Sequence, residues 1–165
     1  MKKSHLIAIL LAAGISLVTS GASNAGCAVP GNASELAAQA GRLLNGERAK
    51  SGRKSLGVDS RLAAAAQAHA CDMAVKGYFS HRGQNGSKPK RRLQQQGCRG
   101  GLVAENIAVG QTDPRELVRD WMASPGHRKN MLLGRGVERY GLGVAKAGRA
   151  YSHGYMWVLV ISRGC

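Results

Sequence analysis

Met156-Trp157-Val158-Leu159-Val160-Ile161 is apolar at every position. A strand alternates its side chains between two faces, so a strand apolar throughout must be covered on both. This run therefore reads as a central strand with a layer on each side. Working outward, it lies in a segment 150–162 that follows a turn at Ala147-Gly148-Arg149 and a second extended segment over 137–146. The chain thus ends in a β-hairpin.

Upstream the periodicity is helical. Ser34 can cap a helix carrying Leu36, Ala40, Leu43 and Leu44 to about Ala49, with Gly52 beyond its end. Asp59 or Ser60 can cap a second helix whose apolar face is Leu62, Ala65, Ala66, His69 and Met73, stopped by Gly77. Tyr78-Phe79-Ser80-His81 follows at once, so a helix end positions it. Residues 87–96 read as a short basic helix ended by Gly97, and 102–110 as a short apolar segment around Glu105-Asn106. Asp113-Pro114 starts a helix that shows Leu117, Val118, Trp121 and Met122 on one side. Ser124-Pro125-Gly126 breaks it, and His127 opens a further helical turn to Leu133. Helices first and a hairpin last predict an α+β layered fold.

The chain has 165 residues, enough for one domain. It is 44% apolar but only 4% aromatic, so Ala and Gly must carry much of the packing. Lys2 and Lys3, the apolar stretch 6–18 and the small residues ending at Ala25 have the order of a secretory signal peptide, cleaved after Ala25. Asn24 stands where a lipobox takes an aliphatic residue, so Cys27 is not read as lipid-modified. Export places the mature protein in the periplasm or outside the cell. Without Lys2 and Lys3, 22 basic residues face 9 acidic ones, a net charge of +13. All four cysteines survive cleavage, and an even count in an exported chain argues for two disulfides. Of the three possible pairings, Cys71–Cys98 with Cys27–Cys165 is the one expected here, the latter tying the ends together. No C-x-x-C is present to make a structural zinc site.

The sequence lacks G-x-S-x-G, P-loop, H-E-x-x-H and G-x-G-x-x-G motifs, which removes the usual support for common hydrolase, NTPase, zincin and dinucleotide chemistries. What stands out instead is a sparse polar set in apolar surroundings: His69, His81, Glu105, Asn106, Trp121 and His127. His69 shares an apolar helix face and reads as a buried structural histidine. Asn106 reads as a partner for turn backbone beside Glu105, Trp121 as core, and His153 as a surface residue. No acidic residue falls between Asp72 and Glu105, whereas Lys76, Arg82, Lys88, Lys90, Arg91, Arg92 and Arg99 do. The densest run is the basic patch Lys88, Lys90, Arg91 and Arg92. It suits anionic envelope material such as lipid head groups or acidic glycans. The charge would also attract nucleic acid, but no aromatic platform accompanies it, so single-strand stacking is unsupported.

Several segments then line up in order: Asn45-Gly46-Glu47-Arg48, residues 62–74 (LAAAAQAHACDMA), Gly77-Tyr78-Phe79-Ser80-His81, Ala104-Glu105-Asn106-Ile107-Ala108, residues 121–132 (WMASPGHRKNML) and Tyr140-Gly141-Leu142-Gly143-Val144-Ala145. Together they resemble the CAP superfamily of cysteine-rich secretory, antigen 5 and pathogenesis-related proteins, and most of all its short bacterial SCP-domain branch. The likeness runs over about 36–162, leaving 26–35 as an N-terminal extension and 36–165 as the domain. It implies an α-β-α sandwich with a small antiparallel sheet between helical layers.

The resemblance also implies a cleft with two His and two Glu. His81 matches the first His, Glu105 the Glu of the Glu-Asn motif, and His127 the second His. The position of the remaining Glu is held by Ser124. Arg139 stands where bacterial relatives often carry an acidic residue, with Glu138 adjacent but one step along a strand and hence on the opposite face. The cleft set is then His81, Glu105, Asn106, Ser124 and His127. Metal binding in some relatives implies zinc as the candidate cofactor, with His81 and His127 as ligands. The expectation is a monomeric, exported, non-enzymatic protein that binds a small apolar or anionic ligand (some relatives bind sterols or fatty acids), or an envelope or host partner, through the cleft and its adjacent basic face. The alternative is a metal-assisted hydrolase, a peptidase or cell-wall enzyme, using His81, His127 and Glu105 as candidate catalytic groups. A third is an adhesive or anti-host factor acting through surface charge.

Overall fold

The Asp59 carboxylate accepts from the backbone N–H groups of Arg61 and Leu62 and so opens a helix, which Gly77 closes with φ 68°. This is one of five helices and four strands in a computed structural model that describes residues 26–99, 101–151, 153–163 and 165. The expected signal peptide, residues 1–25, lies outside the described residues. The elements are α1 (Ala33–Lys50), β1 (Gly57–Val58), α2 (Ser60–Lys76), α3 (Pro89–Gln95), β2 (Val103–Val109), α4 (Pro114–Ala123), α5 (Pro125–Met131), β3 (Arg139–Lys146) and β4 (Tyr155–Ser162). The helical and hairpin expectations hold to within a few residues. Only the two-residue β1 is new, too short to carry a period. Pro125, read as a breaker, is also the opener of α5.

The sheet order is β1-β3-β4-β2, with β1 parallel to β3 and the other pairs antiparallel. β4 is central, as its apolar run requires. On one face Trp157, Leu159 and Ile161, with Tyr140, Leu142 and Val144 of β3, pack against Leu36 and Leu44 of α1, Leu117 and Trp121 of α4 and Met131 of α5. On the other, Met156, Val158 and Val160 meet Leu62, Ala66, Ala70 and Met73 of α2 and Leu93 of α3. The result is the expected α-β-α sandwich.

Two glycines set how closely α2 approaches. A methyl group on Gly141 would strike the backbone of Leu62 and Ala63, and one on Gly143 the backbone of Ala66 and Gln67. The Gln67 side chain then locks helix to strand, its Nε2 donating to the Val144 carbonyl (2.9 Å) and its Oε1 accepting from the Val144 N–H (3.0 Å).

The disulfides are Cys27–Cys71 and Cys98–Cys165, with Cα atoms 5.3 and 4.6 Å apart. This corrects the expected Cys71–Cys98 and Cys27–Cys165 pairing. The reason lies in the hairpin. Ala28 accepts a hydrogen bond from the Lys146 N–H (2.7 Å), at the end of β3. Cys165 follows β4, whose Ser162 pairs with Arg139 at the start of β3. Seven residue steps of strand, about 23 Å, separate those two ends, far beyond the reach of one disulfide.

Candidate functional site

Glu105 faces the α2–α3 side of β2, an edge strand of the sheet, and its side chain is 2% exposed. A buried carboxylate must be paired, and both oxygens are. Oε1 accepts from His81 Nδ1 (2.9 Å) and Oε2 from Arg92 Nη2 (2.6 Å). The sequence reading placed Arg92 in the basic patch with Lys88, Lys90 and Arg91. It is instead buried, because Glu105 needs a counter-charge and the α3 backbone carries the guanidinium inward to supply it. Lys88, Lys90 and Arg91 remain exposed. No spacing rule separates Arg92 from its basic neighbours; a buried carboxylate elsewhere in the chain was the signal.

The loop bearing His81 is held from both sides. His69 Nε2 donates to the Ser80 carbonyl (2.9 Å), and Arg92 Nη1 donates to the carbonyls of His81 (3.1 Å) and Ser87 (3.0 Å). His69 is thus the buried structural histidine the sequence implied. Burial lowers its pKa, against the pull of nearby Glu105. Burial alone would raise the Asp72 carboxyl, but hydrogen bonds from Lys76 and from the Tyr78 hydroxyl outweigh it and bring it below its usual value. Burial and that same contact push the Tyr78 hydroxyl well above its usual range. With Nδ1–H donated to Glu105, His81 leaves Nε2 available to a further partner on a ring 53% exposed.

The second bank of the cleft comes from α5. Asn106 points to the opposite face of β2 from Glu105, where its Nδ2 donates to the His127 carbonyl (3.1 Å) and its Oδ1 accepts from Asn130 Nδ2 (2.9 Å). The sequence reading gave Asn106 a turn beside Glu105; a side chain on the other strand face reaches α5 instead. Asn130 Nδ2 also donates to the Glu105 carbonyl (3.1 Å), and Trp121 Nε1 to that of Ile107 (3.3 Å). These two carbonyls point off the free edge of β2, so α4 and α5 cap it. Trp121 is core, as expected. His127 is half-buried beside it, ring centroids 6.5 Å apart. Burial lowers its pKa, and the nearby His81 lowers it further. Ser124 sits at the start of α5, where its side chain makes no capping bond.

Arg48 was quoted in the sequence only as part of a motif, yet it anchors this bank. Its buried guanidinium donates to the carbonyls of Met131 (2.7 Å) and Leu133 (2.9 Å) at the end of α5, where the helix dipole welcomes a cation.

His81 and Glu105 therefore bond directly at the β2 edge, while Asn106 holds the His127 backbone from the other face of the strand, near enough for His81 to act electrostatically on His127. They do not form a metal centre of ordinary kind. Among the described residues no three His, Cys, Asp or Glu side chains converge to hold an ion. Glu105 is buried and paired with His81 and Arg92, so it is not presented beside the two imidazoles as the third protein ligand that a catalytic zinc takes.

Comparisons agree with this architecture. A family model for the cysteine-rich secretory protein family, CAP, matches residues 42–161. The chain is 36% identical over 114 residues to the uncharacterised protein YkwD of Bacillus subtilis (strain 168), covering 69% of itself and 44% of YkwD. It is also 36% identical over 103 residues to the uncharacterised membrane protein YlbC of the same organism, covering 59% of itself and 30% of YlbC. The chain thus spans less than half the length of either relative. Among solved structures, an extracellular protein containing an SCP domain from Bacillus anthracis str. Ames superposes with a TM-score of 0.67 at 29% identity, over 79% of this chain and 41% of that one. An outer surface protein from Borrelia burgdorferi shares the fold, with a TM-score of 0.66 at 18% identity over 74% of this chain and 88% of that one. By its motifs, its layers and the match over most of its length, this chain belongs to the cysteine-rich secretory protein (CAP) family.

Proposed function

We propose that this is an exported binding module without catalytic activity of its own, taking a small apolar or anionic ligand, or an envelope or host partner, between His81 and His127. One observation carries this reading: both oxygens of Glu105 are engaged. The carboxylate is 2% exposed and ion-paired with Arg92, so it is held inside rather than presented to a substrate or ion at the rim. Its work is to orient His81, whose Nε2 is left available at the rim. Burial lowers the His127 pKa, so that ring stays neutral to lower pH and offers a hydrogen bond rather than a fixed charge. The adjacent exposed Lys88, Lys90 and Arg91 add electrostatic attraction for an anionic surface or ligand. Two disulfides and the likeness to an extracellular SCP-domain protein support the exported setting.

The test is a ligand and metal inventory by mass spectrometry on purified native protein and on His81→Ala and His127→Ala. An organic ligand retained by the native protein and lost from both variants is the expected result. Stoichiometric zinc lost from both variants would instead favour the metal-assisted hydrolase. For the basic face, Lys88, Lys90 and Arg91 are replaced by Gln and retention on an anionic matrix is measured against salt. Unchanged retention would refute that part of the reading.

A further inference from the structure

The exposed large apolar side chains fall into two groups at opposite ends of the sheet. Val58 (65%) lies on β1 beside Tyr140, and Leu102 (48%) precedes Val103, which pairs with Ser162; both mark the end where β3 begins. Val29 (43%), Val75 (54%) and Phe79 (41%) mark the other end, where β3 finishes. The chain brings them together in three ways. The Lys146 N–H bonds to the Ala28 carbonyl, next to Val29. The β3–β4 loop touches the end of α2, since a methyl on Gly77 would meet Ala150 and one on Gly148 would meet the Ala74 carbonyl. Phe79 packs edge-on against Tyr151 of that loop, ring centroids 6.5 Å apart.

The segment after α2 and the β3–β4 loop, which carry Phe79 and Tyr151, come from two stretches without acidic residues, between Asp72 and Glu105 and from Glu138 to the C-terminus. Arg82, Lys146 and Arg149 are exposed there. Asp72, near the end of α2, is taken up by Lys76 and Tyr78. The opposite end is different: Val58 lies among Asp59, Glu138, Arg61, Arg139 and Arg163, a mixture of signs.

We infer that the Val29–Val75–Phe79–Tyr151 end is a docking surface for an anionic lipid bilayer, with Phe79 and Val75 entering the head-group boundary and Arg82, Lys146 and Arg149 meeting lipid phosphates. Aromatic side chains suit that boundary, with an apolar body inside and neighbours in water. Each basic residue near an anionic bilayer adds a modest attraction that salt screens. Phe79 is two residues from His81, so docking would bring the cleft to the membrane surface. The inference extends the envelope contact of the preceding reading from charge to insertion, and rests on that reading only for the exported setting; it needs neither cleft histidine.

The experiment is co-sedimentation of purified native protein with vesicles of phosphatidylglycerol and phosphatidylcholine, compared with phosphatidylcholine alone. Binding to the anionic vesicles only is expected. Phe79→Ser with Val75→Ser lowers the partition coefficient about tenfold, and Lys146→Gln with Arg149→Gln lowers it about tenfold in low salt. Val58→Ser and Leu102→Ser leave it unchanged. His81→Ala, which disables the cleft, also leaves it unchanged, so failure of the cleft reading and of this one are told apart. Phe79→Trp, which keeps an aromatic, gives a blue-shifted emission on anionic vesicles. No sedimentation of the native protein, an equal loss in Val58→Ser, or an unshifted Phe79→Trp emission overturns the inference.

Discussion

The two faces of the sheet are held by different physics. The α1–α4–α5 face is filled by volume: Trp121, Trp157, Tyr140 and a set of leucines, with no ionised side chain beyond Arg48 at its rim. The α2–α3 face is filled by small residues and close approach. Alanines line α2, glycines stand where β3 meets it, and the buried His69, Arg92 and Glu105 cluster lies beside them. Both disulfides attach to this second face, through Cys71 of α2 and through Cys98, just beyond α3. Large apolar side chains supply their own cohesion. A layer of small residues that also houses buried charges has less apolar area to draw on, and covalent links to α2 and α3 offset that.

Several measurements can break or sharpen this contrast, from the largest expected effect to the smallest. Trp157→Ala empties a fully buried site on the volume-filled face and should cost about 4 kcal/mol in urea unfolding. If the cost were under about 1 kcal/mol, that face would not be held by volume. On the other face, Arg92→Met strands the Glu105 carboxylate and should cost about 3 kcal/mol, and adding Glu105→Gln should restore much of it. A double variant no better than the single would show that Arg92 acts by packing alone. Gly143→Ala adds a methyl against the α2 backbone and should cost about 2 kcal/mol, whereas Gly46→Ala, with open space around it, should not destabilise.

The smallest effect concerns pH. His69 and His127 both have pKa values lowered by burial, so the folded state resists protonation that the unfolded chain accepts. Their contribution is fully present above about pH 6.5, the ordinary histidine value, and is lost as pH falls below it. Between there and the carboxylate range, native protein should lose stability as pH falls, and His69→Gln should flatten part of that slope. A native stability independent of pH in this window would contradict the buried neutral state of His69.

These contrasts also explain what the sequence made legible. Helix caps such as Asp59 and Asp113, the stop at Gly77 and the doubly apolar β4 are local signals, and each lies where its pattern put it. Glu105, His81 and His127 were readable through family motifs that each span a few residues. The disulfide pairing was not readable, because it depends on which end of a hairpin each cysteine reaches. Nor was Arg92, whose burial depends on a carboxylate on another element, nor Asn130, whose amide serves two residues of β2. Gly141 and Gly143 were visible as letters of a motif, but their purpose appears only when α2 lies on them.

The free edge of β2 has a consequence beyond the cleft. An uncovered edge strand invites pairing with another chain, and proteins guard against it. Here the guards are Asn130 and Trp121, which occupy the outward carbonyls of Glu105 and Ile107. The amide that helps seat His127's helix is therefore also a stopper against fibre growth. A lineage that reshaped this cleft by replacing Asn130 would have to find another way to keep its molecules apart.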